Sequence, residues 1–563
     1  MSQRTVNSRI RLLGTVLALV FAIALGRAVW LETVDAGLLS SRADAQHIEN
    51  TTIPGDRGVI FDRTGVELAQ GVNSITVTAD PKVVRDQGSP LREARKAAFY
   101  LGMTGAQEVQ LEEALSSRTS RFVYVERQAP AAMARRLERL HLKGFYFSSE
   151  QRRFYPQGSL AAQLLGFSNI DGKGIAGLEL AYNKELTGRP GHQTAIRDPE
   201  GQVVQILHST SERPGANLTL TLDNAIQQDV EGVLRQTLKT WQARSATATV
   251  LDAHTGAVLA MATMPGYNAN AVGRVAPSLW RNRPFTDVYE PGSTFKLVTI
   301  AGALADGKVT PSRTFNLPYS IEVAPHTRPI HDAELRGTET MSVSQILSHS
   351  SNVGAITISR LLGAERLASW IKLFGFGKTT GIDFPGESSG RVPPVDQWYG
   401  TIAGTIPIGQ GVSVTPLQLA AAYAAIANGG VWVQPHLAVR AGEELVPKPK
   451  RHRVVSPSVA AQVLTMLREV VDEGTGQLAG ISGYSIAGKT GTAQIPDPKT
   501  GKYSDKYMAS FVGIVPANKP RLVILVTVEA PSTIWGGTVA APAFRQIALD
   551  CLSRLEVPPD TAN

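Results

Sequence analysis

From Leu12 to Leu31 the chain is apolar almost without a break, interrupted only by Gly14, Thr15, Gly26 and Arg27. About twenty such residues form a helix long enough to cross the hydrocarbon core of a bilayer. Arg4, Arg9 and Arg11 precede the run, and Glu32 and Asp35 follow it. That asymmetry puts the N-terminus in the cytoplasm and the rest of the chain outside. The competing reading is a cleaved signal peptide, since Ala22-Ile23-Ala24 resembles a cleavage site. Apolar character resumes beyond that point and ends on Trp30, which favours a retained anchor. Arg27 either snorkels toward the outer face or meets another membrane protein.

After the anchor the rhythm changes. From Glu32 to Arg213 short strand-like runs alternate with glycine-bearing turns and many arginines. Arg57 to Gly65 reads as strand, tight turn, strand, and Asn73 to Ala79 as a further strand. Residues 91–117 and 129–141 carry helical periodicity. None of these segments has the spacing of a metal or acid/base site, so the region reads as a spacer or docking module. A second domain opens near Ala216, where Leu218 to Asp223 is a strand feeding a helix. The apolar runs 247–252 and 257–262, joined through Gly256, predict a hairpin. Tight antiparallel pairing rules out the all-parallel sheet of a nucleotide-binding fold. Thr415-Pro416 starts a helix that Asn428-Gly429-Gly430 ends. Segments 509–515 and 522–528 form a strand pair. The chain thus reads as α+β: tail 1–11, transmembrane helix 12–31, elongated β-rich pedestal 32–215, an antiparallel sheet flanked by helices over 216–556, and tail 557–563.

Composition narrows the partners. A chain of 563 residues can hold two or three domains with full cores. The formal net charge of +8 suits nucleic acid, an anionic envelope polymer or a membrane surface. The chain lacks any Lys/Arg-rich run with interleaved aromatics, so nucleic acid is excluded. The one cysteine, Cys551, precludes an internal disulfide and falls on an apolar stripe from Phe544 to Leu555, a packing position. Glycine-rich phosphate loops following a strand are missing, which argues against ATP or NAD. His326, His331 and Asp332 invite a metal reading, but their spacing fits no helix face. Neither cofactor nor metal is expected.

The chemistry concentrates in Tyr289-Glu290-Pro291-Gly292-Ser293-Thr294-Phe295-Lys296-Leu297. Pro291 and Gly292 break the backbone, and Ser293 to Ala305 reads as one helix that is apolar on nearly every side. Ser293 and Lys296 lie one turn apart on one face. Burial lowers a lysine pKa and makes the amine usable as a base, so the pair reads as an activated nucleophile. The milder reading is a capping serine with a snorkelling lysine. Farther on, Ser350-Ser351-Asn352 interrupts two helical runs, and Lys489-Thr490-Gly491-Thr492 lies in a strand-like segment with two glycines.

Ser293-x-x-Lys296, Ser350-Ser351-Asn352 and Lys489-Thr490-Gly491, in this order, form the motif set of penicillin-binding proteins and class A β-lactamases. Nearly the whole chain resembles the class B penicillin-binding proteins, in particular their cell-division branch. Leu25 to Leu31 resembles the family's anchor, and Arg57-Gly58 through Ala69 its pedestal signature. Phe376-Gly377 with Thr380-Gly381-Ile382, Gly409-Gln410-Gly411 with Thr415 to Leu419, and Gly536-Gly537 with Ala540-Ala541-Pro542 resemble its transpeptidase domain.

The resemblance implies a D,D-transpeptidase that cross-links septal peptidoglycan and is acylated by β-lactams. It assigns Ser293 as nucleophile, Lys296 as general base, Ser350 as proton relay with Lys489, and the backbone N–H groups of Ser293 and Thr492 as oxyanion hole. Asn352, Thr490, Gly491 and Thr492 would hold the substrate, with Gly491 letting the donor peptide approach. It also implies the membrane glycosyltransferase FtsW and other division proteins as partners. The pattern assigns no acidic residue to a deacylating water, which favours a long-lived acyl-enzyme. Rival expectations are an elongation-type transpeptidase, a D,D-carboxypeptidase and a β-lactam sensor.

Overall fold

The computed structural model describes residues 3–33, 48–197, 203–497, 500 and 502–561. Asp35, one of the two acids used to orient the anchor, lies outside the described residues. The chain forms two compact units, one of residues up to 56 with 188–215, the other of 57–187 with 216 onward.

In the first unit, helix α1 (Gln3–Thr33) contains a stretch, Asn7–Thr33, long and apolar enough to cross a membrane. Strands Ile48–Ile53, Gly191–Arg197 and Val203–Thr210 make an antiparallel sheet, with Gly191–Arg197 in the middle.

The second unit brings together segments that the sequence separates widely. One seven-stranded sheet runs in the order Glu444–Leu445, Ala438–Ala441, Leu218–Leu220, Ile60–Phe61, Glu67–Ala79, Val123–Pro130, and Phe145–Phe154 also pairs with Glu67–Ala79. Ile60–Phe61 pairs in parallel with Leu218–Leu220, the strand at which the second domain was expected to open. Helices Pro90–Leu101, Gly105–Leu115 and Ala131–Glu138 bury Ala94, Leu111, Leu115 and Leu137 against Val77 and Val125 of this sheet. Glu179, fully buried, accepts Arg57 Nε–H at 2.7 Å and Arg153 Nε–H at 2.6 Å, so two distant arginine-bearing segments close on one carboxylate.

The half that carries the three motifs is built on five strands: β1 (Ser245–Asp252), β2 (Val258–Met264), β3 (Ala487–Pro496), β4 (Tyr503–Val515) and β5 (Leu522–Glu529). They run β2-β1-β5-β4-β3, every pair antiparallel, as the 247–262 hairpin implied. Helix α2 (Asn224–Trp241) and the C-terminal helix, residues 536–554, pack together on one face, where Val230, Leu234, Phe511 and Phe544 are buried with Cys551. On the other face lie α3 (Lys296–Ala305), α4 (Asn352–Leu362) and α5 (Pro416–Ala427). Helix α5 is buried along its whole length, and its start is fixed by a full capping box between Thr415 and Gln418. Strand β3 ends the sheet, so one of its edges is left free of a sister strand.

Candidate active site

The Ser293 segment enters the site through Gly292, whose φ is +56°. Its N–H donates to Gly409 O at 3.0 Å, and a Cβ there would meet Thr492 O at 2.9 Å. Only glycine lets the chain turn this close to β3. The expected single helix from Ser293 is in two parts: Gly292–Phe295 is one 3-10 turn, and α3 begins at Lys296. The turn is pinned by tertiary bonds, with Thr294 Oγ1 donating to Pro291 O at 2.7 Å and Tyr423 Oη to Thr294 O at 2.8 Å. In a 3-10 turn residues i and i+3 eclipse, so Ser293 and Lys296 still share one side.

Lys296 is fully buried. Its Nζ donates to Ser350 O at 2.5 Å, Ser350 Oγ at 3.2 Å and Asn352 Oδ1 at 2.8 Å. Burial, reinforced by the charge of Lys489, pushes its pKa well below the usual lysine range; Asp332 opposes them. The S-S-N segment is bent rather than helical at its first residue, and Ser350 has φ +60°. A β-carbon-bearing residue in this left-handed region stores strain, which native structures tolerate where function requires a group aimed in one direction. Here the bend aims both the carbonyl and the hydroxyl of Ser350 at Lys296. Ser351 caps α4, its Oγ accepting Gly354 N–H at 2.9 Å. Asn352 Nδ2 donates to His331 O at 2.9 Å, which leaves the amide one further N–H.

Lys489, on β3, is also fully buried, and burial alone brings it down to about 7. Its Nζ lies 3.3 Å from Thr490 Oγ1, which shares a 2.8 Å bond with Thr475 Oγ1. Thr492 Oγ1 accepts Gly536 N–H at 3.3 Å. A Cβ on Gly491 would meet Ser510 Oγ at 2.4 Å, and Pro291 O and Thr294 Cγ2 at 3.0 Å. The glycine therefore lets β3 lie against the turn that carries Ser293.

The three motifs, the first two 54 residues apart and the last two 137, meet at one cleft. Four supporting residues were not read from the sequence. Thr475 holds Thr490, and Tyr423 holds the turn that carries Ser293. Glu290 accepts Gly411 N–H at 2.9 Å and Tyr503 Oη–H at 2.9 Å, with its pKa raised by burial. Asp332, suspected only as a metal ligand, accepts bonds from Ser351 Oγ and from the backbone of Asn352 and Val353. Glu290 could have been noticed as an acid beside the Pro-Gly break. The others carry no local signal, because each acts across at least fifteen residues of chain.

A Ser-x-x-Lys pair with its lysine buried, a serine-asparagine bend and a Lys-Thr-Gly edge strand around one cleft define a serine acyl-transferase of penicillin-binding type. Residues 246–549 match the penicillin binding protein transpeptidase domain and residues 52–220 the penicillin-binding protein dimerisation domain, and the chain belongs to the class B penicillin-binding proteins. It is 35% identical over 564 residues to peptidoglycan D,D-transpeptidase FtsI of Escherichia coli (strain K12), covering 99% of this chain and 93% of that protein. It is 32% identical to the probable peptidoglycan D,D-transpeptidase PenA of Neisseria gonorrhoeae, covering 99% and 94%. The crystal structure of penicillin binding protein 3 from Mycobacterium tuberculosis complexed with aztreonam superposes with a TM-score of 0.71 at 32% identity, over 91% of this chain and 98% of that one.

Proposed function

We propose that this protein is a membrane-anchored peptidoglycan D,D-transpeptidase of septal cell-wall synthesis that works through an acyl-enzyme on Ser293. The observation that carries the reading is the hydrogen-bonded junction of Lys296 with Ser350 and Asn352, buried beside the nucleophile turn and the Lys489 strand. Neutral Lys296 takes the Ser293 proton as the hydroxyl attacks the carbonyl of the penultimate D-alanine of a donor stem peptide. As an ammonium, Lys296 has three donors and faces three acceptors, Ser350 O, Ser350 Oγ and Asn352 Oδ1. As a neutral amine it has two donors and one lone pair, and that lone pair is what takes the Ser293 proton. Once Lys296 has taken the Ser293 proton it donates to Ser350 Oγ, and Ser350 passes its own hydroxyl proton to the departing D-alanine amine as Lys296 replaces it, with Lys489 beside it.

Backbone N–H groups of Ser293 and Thr492 stabilise the oxyanion. Lys489, Thr490 and Thr492 hold the substrate carboxylate. The free edge of β3 accepts the donor peptide as an added strand, and Asn352 uses its remaining N–H on the stem-peptide amide. An amine from a neighbouring stem then releases the acyl group. The same cleft accepts β-lactams, which mimic the donor.

The N-terminus lies in the cytoplasm and the catalytic unit outside, at the division septum with FtsW and other division proteins. The basic residues Arg4, Arg9 and Arg11 ahead of the apolar run at Leu12 and the likeness to FtsI support this placement. Fluorescent penicillin will label the wild type covalently and leave Ser293→Ala unlabelled; labelling of the variant at wild-type level ends the nucleophile assignment. Depletion will give filaments, whereas rounding would assign the protein to the elongation machinery.

A further inference from the structure

The groups that make the cleft reactive are held by a residue that touches neither the nucleophile nor the strand. Asp332 is buried, 6% exposed, at the end of the two-residue strand Ile330–His331. Its Oδ1 accepts Asn352 N–H at 2.6 Å and Val353 N–H at 3.0 Å, and its Oδ2 accepts Ser351 Oγ–H at 2.9 Å. Arg336 closes on Oδ2 from the other side at 2.5 Å, and His331, the preceding residue, takes the amide of Asn352 through its carbonyl. The carboxylate therefore fixes three consecutive residues directly after Ser350, at the N-terminus of α4, where orphan N–H donors and the helix dipole both favour an anion. Ser350 itself sits in a left-handed conformation that persists only when neighbouring structure over-determines it.

We propose that Asp332 is a positioning residue of the acylation machinery: its buried carboxylate, clamped by Arg336, holds Ser350 in its strained conformation and Asn352 against Lys296. This inference rests on the acyl-transfer reading of the site. The position also gives the carboxylate a second effect. The charged groups around the junction are Lys296 on α3, Lys489 on β3, Asp332 and Arg336 on the loop, Glu339 beyond Arg336 at 3.8 Å, and the His331 ring, whose Nδ1 lies 2.7 Å from Asp332 O. Among these Asp332 favours the ammonium form of Lys296 against burial and Lys489. Removing its charge lets Lys296 deprotonate at lower pH, and removing Arg336 has the opposite sign.

The test is the pH profile of the acylation rate, measured with fluorescent penicillin on the full-length protein in detergent. In Asp332→Asn the plateau rate falls by about tenfold or more, as expected for misplaced reacting groups. The acidic limb moves to lower pH by about one unit. In Asp332→Glu, which keeps the charge and shifts it, the plateau falls and the limb stays. In Arg336→Met, which carries the test if Asp332→Asn does not fold, the limb moves to higher pH. An Asp332→Asn profile with an unmoved limb or an undiminished plateau overturns the proposal, as does an Arg336→Met limb that stays or moves to lower pH. Failure of the acyl-transfer reading is a separate outcome, seen as wild-type protein that penicillin does not label at any pH.

Discussion

Two lysines, Lys296 and Lys489, are buried in one cleft, and their combined effect on stability and reactivity can be followed at Lys489, which has few bonds to lose. Its folded-state pKa of about 7 lies below the unfolded value near 10.5. Between these values the unfolded chain binds a proton that the folded chain does not, so stability rises with pH across that window. Below pH 7 both states are protonated and the full penalty of burial stands, up to about 5 kcal/mol at 1.36 kcal/mol per unit. Lys489→Met will therefore be more thermostable than the wild type, most of all below pH 7, with the gap closing toward pH 10.5. Its acylation by carboxylate-bearing β-lactams will fall at every pH. Thermal unfolding at several pH values, alongside penicillin labelling, checks both halves. A variant less stable than the wild type at pH 6 would mean that Lys489 is stabilising where it lies.

At the scale of elements, the cleft depends on how closely β3 lies to the 3-10 turn of Ser293. Gly491 and Gly292 face each other's segments, and each would put a Cβ within about 3 Å of the opposing backbone. Gly491→Ala must push the strand and the turn apart, because Pro291 O and Thr294 Cγ2 are already held by Thr294 Oγ1 and Tyr423. A displacement near 1 Å between reacting groups lowers rates about a hundredfold. Gly491→Ala is thus expected to lose about a hundredfold in acylation rate while its melting temperature falls only modestly. Stopped-flow acylation and calorimetry on the same sample distinguish this from unfolding, in which both would fall together.

For the whole molecule, the second compact unit includes most of the pedestal segment as well as the catalytic half, joined by the sheet that pairs Ile60–Phe61 with Leu218–Leu220. Glu179 is the charge at the centre of the pedestal side of that unit, with Arg57 and Arg153 themselves nearly buried. Removing one partner of a buried ion network strands the others, at about 3–5 kcal/mol. Glu179→Ala is expected to lower unfolding stability by that amount. Acylation at temperatures where the protein stays folded should be nearly unchanged, because none of these groups touches the cleft. A selective loss of acylation with unchanged melting would contradict this division of roles.

Local chemistry along the chain was enough to identify α1, the capped start of α5 at Thr415, the hairpin through Gly256 and the three motifs, since each is written in residues a few positions apart. Helix periodicity also located the buried face of Cys551. The sequence could not specify contacts across long stretches of chain: the Ile60–Phe61 pairing with a strand about 158 residues later, the 3-10 form of the Ser293 turn, or the Asp332 clamp on the bend. Ser293-x-x-Lys296 supplies the hydroxyl and the amine, but the tertiary structure decides whether that amine is charged. Its proton affinity is the balance of burial, Lys489 and Asp332, and those three are assembled only when distant segments pack together.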